Sequence, residues 1–147
     1  MFPLGHPFAN KNTKLFLAGK VAKRLLTEAQ EAFPYEYSAL LAGRGADITM
    51  HIPLRPIEPA THFYQWDGDS LVRALREISR ADLEWLGVLH THPHSPPVPS
   101  QADAAGWHYA QLSYWILSLQ GIQPELRVYQ WAEGAFQERS YLITGDR

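Results

Sequence analysis

The sequence has 147 residues, of which 46% are hydrophobic and 19% charged, and these values are typical of a folded globular chain rather than a disordered one. The formal net charge is -2 and no cluster of Lys and Arg occurs, so nucleic acid is not an expected partner. There are no cysteines, which excludes disulfides, thiolate zinc sites and thiol nucleophiles. Any bound metal must therefore be held by nitrogen and oxygen ligands.

No targeting or membrane segment is recognisable. The first residues, MFPLGHPFANKN, lack the charged start and the apolar stretch of a signal peptide. No apolar run approaches the roughly 20 residues that span a bilayer. We therefore expect a cytoplasmic protein with no membrane partner, and residues 1–147 are the right length for a single domain.

The first elements predicted along the chain are a short strand and an amphipathic helix. KLFLA, at 14–18, is short and apolar, as expected for a strand. The segment 20–33 repeats apolar residues at helical spacing, and Pro34 ends it. The apolar stripe of this helix consists of Val21, Leu25 and Ala29.

A hairpin is predicted next. Strands at 36–43 and 46–52 are joined by the turn sequence GRG, and the second strand alternates apolar and polar residues. The residues predicted to share one face of that strand are Ile48, Met50 and Ile52. Residues 53–66 hold three prolines and are expected to form an irregular connection.

The second half continues to mix helices with strands. Asp69 is a candidate cap for a helix at 70–80, and WLGVL at 85–89 is the continuous apolar run of a strand buried on both faces. A short helix is expected from Ser100 to about Tyr109. Three further strands are predicted, at 112–118, 125–131 and 136–143. The fold class is therefore α/β (α+β), with a mixed β-sheet flanked by helices.

The segment GVLHTHPHSPPVPSQAD, from Gly87 to Asp103, contains a candidate metal site. His90 and His92 lie just beyond the predicted buried strand, and residues two apart on a strand point the same way, so both imidazoles can reach one point. Asp103, in the first turn of the next helix, is the natural third ligand. Three protein ligands plus one water are typical of catalytic zinc, which lowers the pKa of that water to about 7.

Other interpretations of the same residues stay open. A single H-x-H is weak evidence for a site, and Ser100-x-x-Asp103 also fits a helix-capping arrangement with no metal. His94 is an alternative ligand, although it follows Pro93 and leaves the geometry of the strand. A purely structural zinc is disfavoured because a closed site normally has a fourth protein ligand.

The pattern H-x-H-P followed by S-x-x-D resembles the JAMM motif of the MPN-plus zinc metalloproteases. HTHPHSPPVPSQAD matches every defining position, with ten residues between the second histidine and the aspartate. FPYEYSALLAG is similar to the family's entry to its first long strand, and PATHFYQWDGDSLVRAL to the segment leading into its second helix. The resemblance covers about 13–143 and implies an MPN-like fold, of the compact stand-alone prokaryotic type.

The resemblance also implies roles for five residues. His90, His92 and Asp103 would bind one zinc ion per chain, Glu36 would act as the catalytic general acid and base, and Ser100 would help to hold the tetrahedral oxyanion. General acid–base help of this kind contributes roughly 10²–10⁴-fold to the rate. The family often has glycine where this chain has Ala39, and a small residue or cysteine where it has Ser38, so the width of the substrate groove is left open.

Compact members of this family are associated with cleaving amide bonds at the C-terminus of ubiquitin-like or sulfur-carrier proteins. The resemblance therefore implies a zinc metallopeptidase or isopeptidase whose partner is such a protein. The alternative is a non-catalytic MPN-type binding or scaffold module. The sequence does not decide between linear and isopeptide bonds, among zinc, iron and cobalt, or between oligomeric states.

Overall fold

The computed structural model describes residues 4–9, 14–56, 67–107 and 109–145. Within them the elements are β1 (Lys14–Ala18), α1 (Gly19–Ala32), β2 (Ser38–Arg44), β3 (Asp47–Pro53), α2 (Gly68–Arg80), β4 (Glu84–His92), α3 (Gln101–Gly106), β5 (Ser113–Ser118), β6 (Glu125–Ala132) and β7 (Ala135–Thr144). Trp66 and most of the predicted 53–66 connection lie outside the described residues. No helix in the described ranges is long and apolar enough to cross a membrane.

The strands form one mixed sheet in the order β1-β3-β2-β4-β5-β6-β7. The β2–β3, β2–β4, β5–β6 and β6–β7 pairs are antiparallel, whereas β1–β3, β4–β5 and β1–β7 are parallel. The last of these pairs closes the sheet into a barrel. The predicted mixed sheet and its flanking helices are confirmed.

The apolar core lies on both sides of this sheet. One cluster contains the predicted α1 stripe, which packs with residues such as Leu41, Leu89 and Trp115. The second cluster lies under α2, where Leu75 and Ile78 pack against the other face of β2 and β4. Since β4 contributes to both clusters, it is buried on both faces, as its continuous apolar run predicts.

The prediction that Ile48, Met50 and Ile52 share one face is wrong. Ile48 packs in the α1 cluster and Ile52 in the α2 cluster. The reason is a β-bulge in the β2–β3 pair, where Ala42 pairs with Met50 but the next residue, Gly43, pairs with Ile48. One extra residue in a strand reverses the direction of every side chain after it.

Two predicted helix ends also differ from the structure. Asp69 is not the cap of α2, because the helix begins at Gly68 and its N-cap is Asp67, which makes no side-chain cap bond. Helix α3 ends at Gly106 rather than near Tyr109. The chain turns earlier because Trp107 is already extended, so its side chain can pack over β5.

Candidate metal centre

Strand β4 carries both histidines of the H-x-H pair. It extends to His92, so the histidines lie inside the strand and not beyond its end as predicted. The extension is stabilised by β5, whose pairing with β4 continues through His92 and Ser118. As predicted, both imidazoles lie on one face; Thr91, between them, points to the other face because strand side chains alternate.

The loop after His92 brings Asp103 back to the histidines. Two side chains from the neighbouring strands hold this loop in place: the hydroxyl of Ser118 donates to the carbonyl of Ser95, and the hydroxyl of Tyr129 donates to the carbonyl of Pro97. Helix α3 then starts directly after Ser100. Asp103 stands in its first turn and faces the two imidazoles.

Three side chains converge at this point. The Nε2 atoms of His90 and His92 are 3.1 Å apart, and they lie 3.2 and 3.3 Å from Oδ1 and Oδ2 of Asp103. Metal–ligand bonds of about 2.0–2.1 Å in a tetrahedral site separate neighbouring ligand atoms by about 3.3 Å. The distance between the two histidine nitrogens, and from each nitrogen to its nearer carboxylate oxygen, is close to this spacing. One ligand atom from each of the three residues lies within 4.8 Å of the others, so this group of described residues could hold a metal ion.

Hydrogen bonds set the protonation of the site. Nδ1 of His92 donates to the carbonyl of Pro96 at 2.8 Å, so Nε2 is the nitrogen that faces His90 and Asp103. Burial lowers the pKa of His92, but hydrogen bonds with Asp103 and Pro96 outweigh it and raise that pKa, so a metal would displace the proton on Nε2. Burial lowers the pKa of His90, so its ring is neutral. Burial alone would raise the pKa of Asp103, but hydrogen bonds with His90 and His92 outweigh it and hold that pKa far below its ordinary value.

Ser100 and Asp103 also form the capping box that the sequence allows. The Ser100 hydroxyl accepts from the amide of Asp103 at 3.0 Å, and Oδ2 of Asp103 accepts from the amide of Ser100 at 2.7 Å. The capping and metal-site interpretations are therefore compatible, because the cap fixes the carboxylate that faces the histidines. The Ser100 side chain is exposed at the rim of the site, and its hydroxyl proton is not used by the cap.

Glu36 lies beside the three donors without joining them. It precedes β2 by two residues, so its predicted place inside the strand is wrong. Tyr37 continues the pairing with β4, since its amide donates to the Thr91 hydroxyl and its carbonyl accepts from the Thr91 amide. Ser38 pairs with His90, so the same antiparallel register places Glu36 opposite His92.

The environment of Glu36 is unusual for a carboxylate. The side chain is buried, and Oε2 has no hydrogen-bond partner among the described residues. Burial raises the pKa of Glu36 to about 7; the negative charge of Asp103 acts in the same direction and the charge of His92 acts against it. A carboxyl group that titrates near neutral pH can both accept and release a proton.

Comparison with known protein families decides the identity of the fold. The profile of the prokaryotic homologs of the JAB domain matches residues 19–132, which include the H-x-H segment and Glu36. The chain belongs to this family. The resemblance to the JAMM and MPN-plus proteins that the sequence motif indicated is thereby confirmed.

Two individual proteins are also similar to this chain. A desampylase of Haloferax volcanii is 28% identical over 140 residues, covering 90% of this chain and 98% of its own length. A probable TtuB-protein conjugate cleaving protease of Thermus thermophilus is 33% identical over 102 residues, covering 67% of this chain and 64% of its own.

Solved structures support the fold. Protein DSY2949 of Desulfitobacterium hafniense has a TM-score of 0.81 at 25% identity and covers 90% of this chain and 94% of its own. The JAB1/MPN domain protein AF2198 of Archaeoglobus fulgidus has a TM-score of 0.56 at 18% identity, with 87% and 99% covered. The expected MPN-like fold is therefore confirmed.

Within this JAB domain, the structure separates His94 from the other candidate ligands. His94 is exposed, and its ring packs edge-on against Phe33 at a centroid distance of 5.3 Å. Two residues near the site were not identified from the sequence. Thr91 joins β4 to the Glu36 segment, and Tyr114 places its hydroxyl 3.4 Å from Nε2 of His90. Both depend on strand register, which the sequence pattern does not give.

Proposed function

We propose that this JAB domain is a zinc-dependent metallopeptidase or isopeptidase that cleaves the amide bond at the C-terminus of a ubiquitin-like or sulfur-carrier protein. The observation that carries the proposal is the convergence of His90, His92 and Asp103 beside the buried carboxyl group of Glu36. The names of two relatives, a desampylase and a TtuB-conjugate cleaving protease, support a substrate of the protein-conjugate class.

Each side chain of the metal centre has a distinct task in this proposal. His90, His92 and Asp103 would hold one zinc ion and leave one coordination position for water or substrate, as in other catalytic zinc sites. Bound zinc supplies a Lewis acid and makes a water nucleophile available near neutral pH. The hydrogen bond from His92 to Pro96 keeps the imidazole in the tautomer that presents Nε2.

Glu36 would move the proton in the reaction. In its ionised form it accepts a proton from the attacking water, and in its protonated form it delivers that proton to the departing amine. The pKa of about 7 makes both forms accessible near neutral pH. Hydrogen bonds between Tyr37 and Thr91 hold Glu36 opposite His92. Glu36 therefore lies beside the proposed metal ligands but is not itself a ligand.

Ser100 would stabilise the negative charge that develops on the substrate carbonyl. Its hydroxyl oxygen accepts from the Asp103 amide through a lone pair, and its hydroxyl proton remains available for donation to the substrate carbonyl oxygen.

The proposal keeps residues 1–147 as one domain, with no nucleic-acid or membrane partner. A non-catalytic scaffold is the alternative, and the complete set of site residues in this chain argues against it.

The proposal is tested with two substrates, incubated with zinc-loaded enzyme: a linear fusion of a small ubiquitin-like protein to a reporter, and the same protein joined through its C-terminus to a lysine side chain of the reporter. Wild type should release the reporter, and Glu36→Gln should keep its zinc but cleave at least about 100-fold more slowly, because it cannot take up the proton. Glu31→Gln is the matched control, since Glu31 is exposed on α1. Equal rates for wild type and Glu36→Gln would remove Glu36 from the mechanism. Zinc binding without any cleavage would favour the scaffold.

A further inference from the structure

We propose that Tyr114 is a positioning residue of the metal centre, which packs its ring against His90 and donates its hydroxyl proton to the Asp103 carboxylate. This inference rests on the metal site of the proposed function and adds a residue to it. The sequence pattern gives Tyr114 only a place in the predicted 112–118 strand.

The register between β4 and β5 places Tyr114 on the same face as the metal ligands. Tyr114 pairs with Val88 and Ile116 pairs with His90, so alternation along both parallel strands points Tyr114 and His90 to one side. The Tyr114 side chain is only 6% exposed, so its hydroxyl finds its hydrogen-bond partners inside the protein.

The polar end of Tyr114 reaches the donor atoms directly. Its hydroxyl oxygen lies 3.4 Å from Nε2 of His90, and that nitrogen is 3.2 Å from Oδ1 of Asp103. A metal engages the Nε2 lone pair, so the carboxylate remains as the acceptor for the single phenolic proton. A phenolic hydroxyl is protonated at neutral pH, so Tyr114 acts as a hydrogen-bond donor to the carboxylate.

The ring of Tyr114 packs against the His90 imidazole and holds its orientation, which no hydrogen bond to Nδ1 does among the described residues. Metal-bound imidazoles usually donate their second N–H to a carbonyl or carboxylate, but Nδ1 of His90 is buried with no partner among the described residues. The Tyr114 ring lies against the imidazole at a centroid distance of 5.0 Å. Packing against this ring therefore fixes the orientation that a hydrogen bond would otherwise fix.

Tyr114 is itself held rigidly. Phe136 of β7 stacks on its ring at 4.8 Å with an interplanar angle of 17°, and Trp107 lies 4.6 Å from it on the α3 side. These contacts restrict the ring to one orientation, so the hydroxyl is aimed before any metal arrives. Preorganisation of this kind is what a ligand-orienting group requires.

The test measures zinc affinity by competition with a chromogenic chelator, using metal-free wild type, Tyr114→Phe and Tyr141→Phe. Tyr114→Phe keeps the ring but removes the donor, and it should weaken zinc binding by about 10-fold or more, within the range found for other ligand-supporting residues. Tyr141→Phe is the matched control, since its hydroxyl donates to the carbonyl of Leu126 away from the donors. Its affinity should match that of wild type.

Two further measurements separate positioning from general loss of structure. The visible spectrum of the cobalt-loaded protein should change in Tyr114→Phe and not in Tyr141→Phe, since it reports the geometry of the ligands. Thermal unfolding of the metal-free variants shows whether each is folded. An affinity and a spectrum like those of wild type in Tyr114→Phe would overturn this inference alone, whereas failure of wild type to bind zinc would overturn the proposed function as well.

Discussion

At the scale of single residues, Glu36 combines burial with a carboxyl oxygen that has no partner among the described residues. Burying an unpaired carboxylate destabilises a fold, so a protein that keeps one in this position gains something else from it. Its position opposite His92 makes proton transfer the function that this environment suits best.

The pH dependence of the reaction should reflect this environment. Only ionised Glu36 can accept the proton, so kcat/KM of the zinc-loaded enzyme should fall about tenfold per pH unit below the pKa of Glu36. That pKa is about 7 in the absence of metal, and a nearby zinc cation favours the ionised form, which places the acid limb at or below pH 7. A pH profile with no acid limb between pH 4 and pH 8 would contradict this role.

The stability of the metal-free protein should depend on pH through the same group. The pKa of Glu36 is about 7 in the fold and lower in the unfolded chain, so the fold binds the proton more tightly. The resulting stabilisation is complete below about pH 4 and is lost as pH rises through 7.

Glu36→Gln removes this titration. Between pH 5 and pH 8, wild type should therefore lose up to about 3 kcal/mol of unfolding free energy relative to Glu36→Gln, as measured by urea denaturation in the presence of a chelator. Parallel pH curves for the two proteins would show that Glu36 is ionised in the fold throughout this range.

At the scale of elements, the contact between β4 and β5 controls the position of both histidines. Gly87 pairs with Ser113, and a Cβ atom at Gly87 would lie 2.2 Å from the Ser113 hydroxyl and 2.8 Å from its carbonyl oxygen. The two strands approach closely here because residue 87 has no side chain.

Gly87→Ala should therefore push β4 away from β5 and lower the unfolding free energy by about 1–3 kcal/mol, the usual range for overpacking. It should also weaken zinc binding, because the displaced strand carries His90 and His92. Gly68→Ala at the start of α2 is the control, since a Cβ there meets nothing within 4 Å. Urea denaturation and chelator competition on both variants check the prediction, and unchanged stability in Gly87→Ala would contradict it.

The elements also show which features could be predicted from the sequence. Local patterns identified the helices, the strands and the H-x-H pair, because periodicity and alternation are properties of neighbouring residues. The β-bulge opposite Gly43, the position of Glu36 opposite His92 and the contact of Tyr114 with His90 were not predicted. Each depends on how a distant strand pairs, and single-sequence patterns carry no information about that register.

At the scale of the whole molecule, the apolar contacts that hold the fold together do not include the candidate metal ligands. The sheet closes through β1 and β7, and two apolar clusters pack on its faces, whereas the donor group involves only β4 and α3. The family resemblance was visible in the sequence because its motif spans one continuous segment. The closure of the barrel was not visible, because it pairs the two ends of the described chain.

Metal removal should therefore change the stability of the protein but not its structure. A chelator should leave the far-ultraviolet circular dichroism spectrum unchanged at 25 °C, and free zinc at 100 times its Kd should stabilise the fold by about 2.7 kcal/mol. The increase in melting temperature on adding zinc measures this effect. Unfolding of the chain by the chelator at 25 °C would instead indicate a structural zinc site.

The central claim is that His90, His92 and Asp103 bind a metal ion, and equilibrium dialysis tests it most directly. Wild type, His92→Ala and His94→Ala are first freed of metal and then dialysed against zinc, and the number of zinc ions bound per chain is measured. The two variants make the same substitution two residues apart, but only His92 faces the other donors. The structure predicts one zinc per chain for wild type and His94→Ala, and none for His92→Ala. Equal binding by all three proteins, or no binding by wild type, would contradict the assignment of His90, His92 and Asp103 as a metal centre.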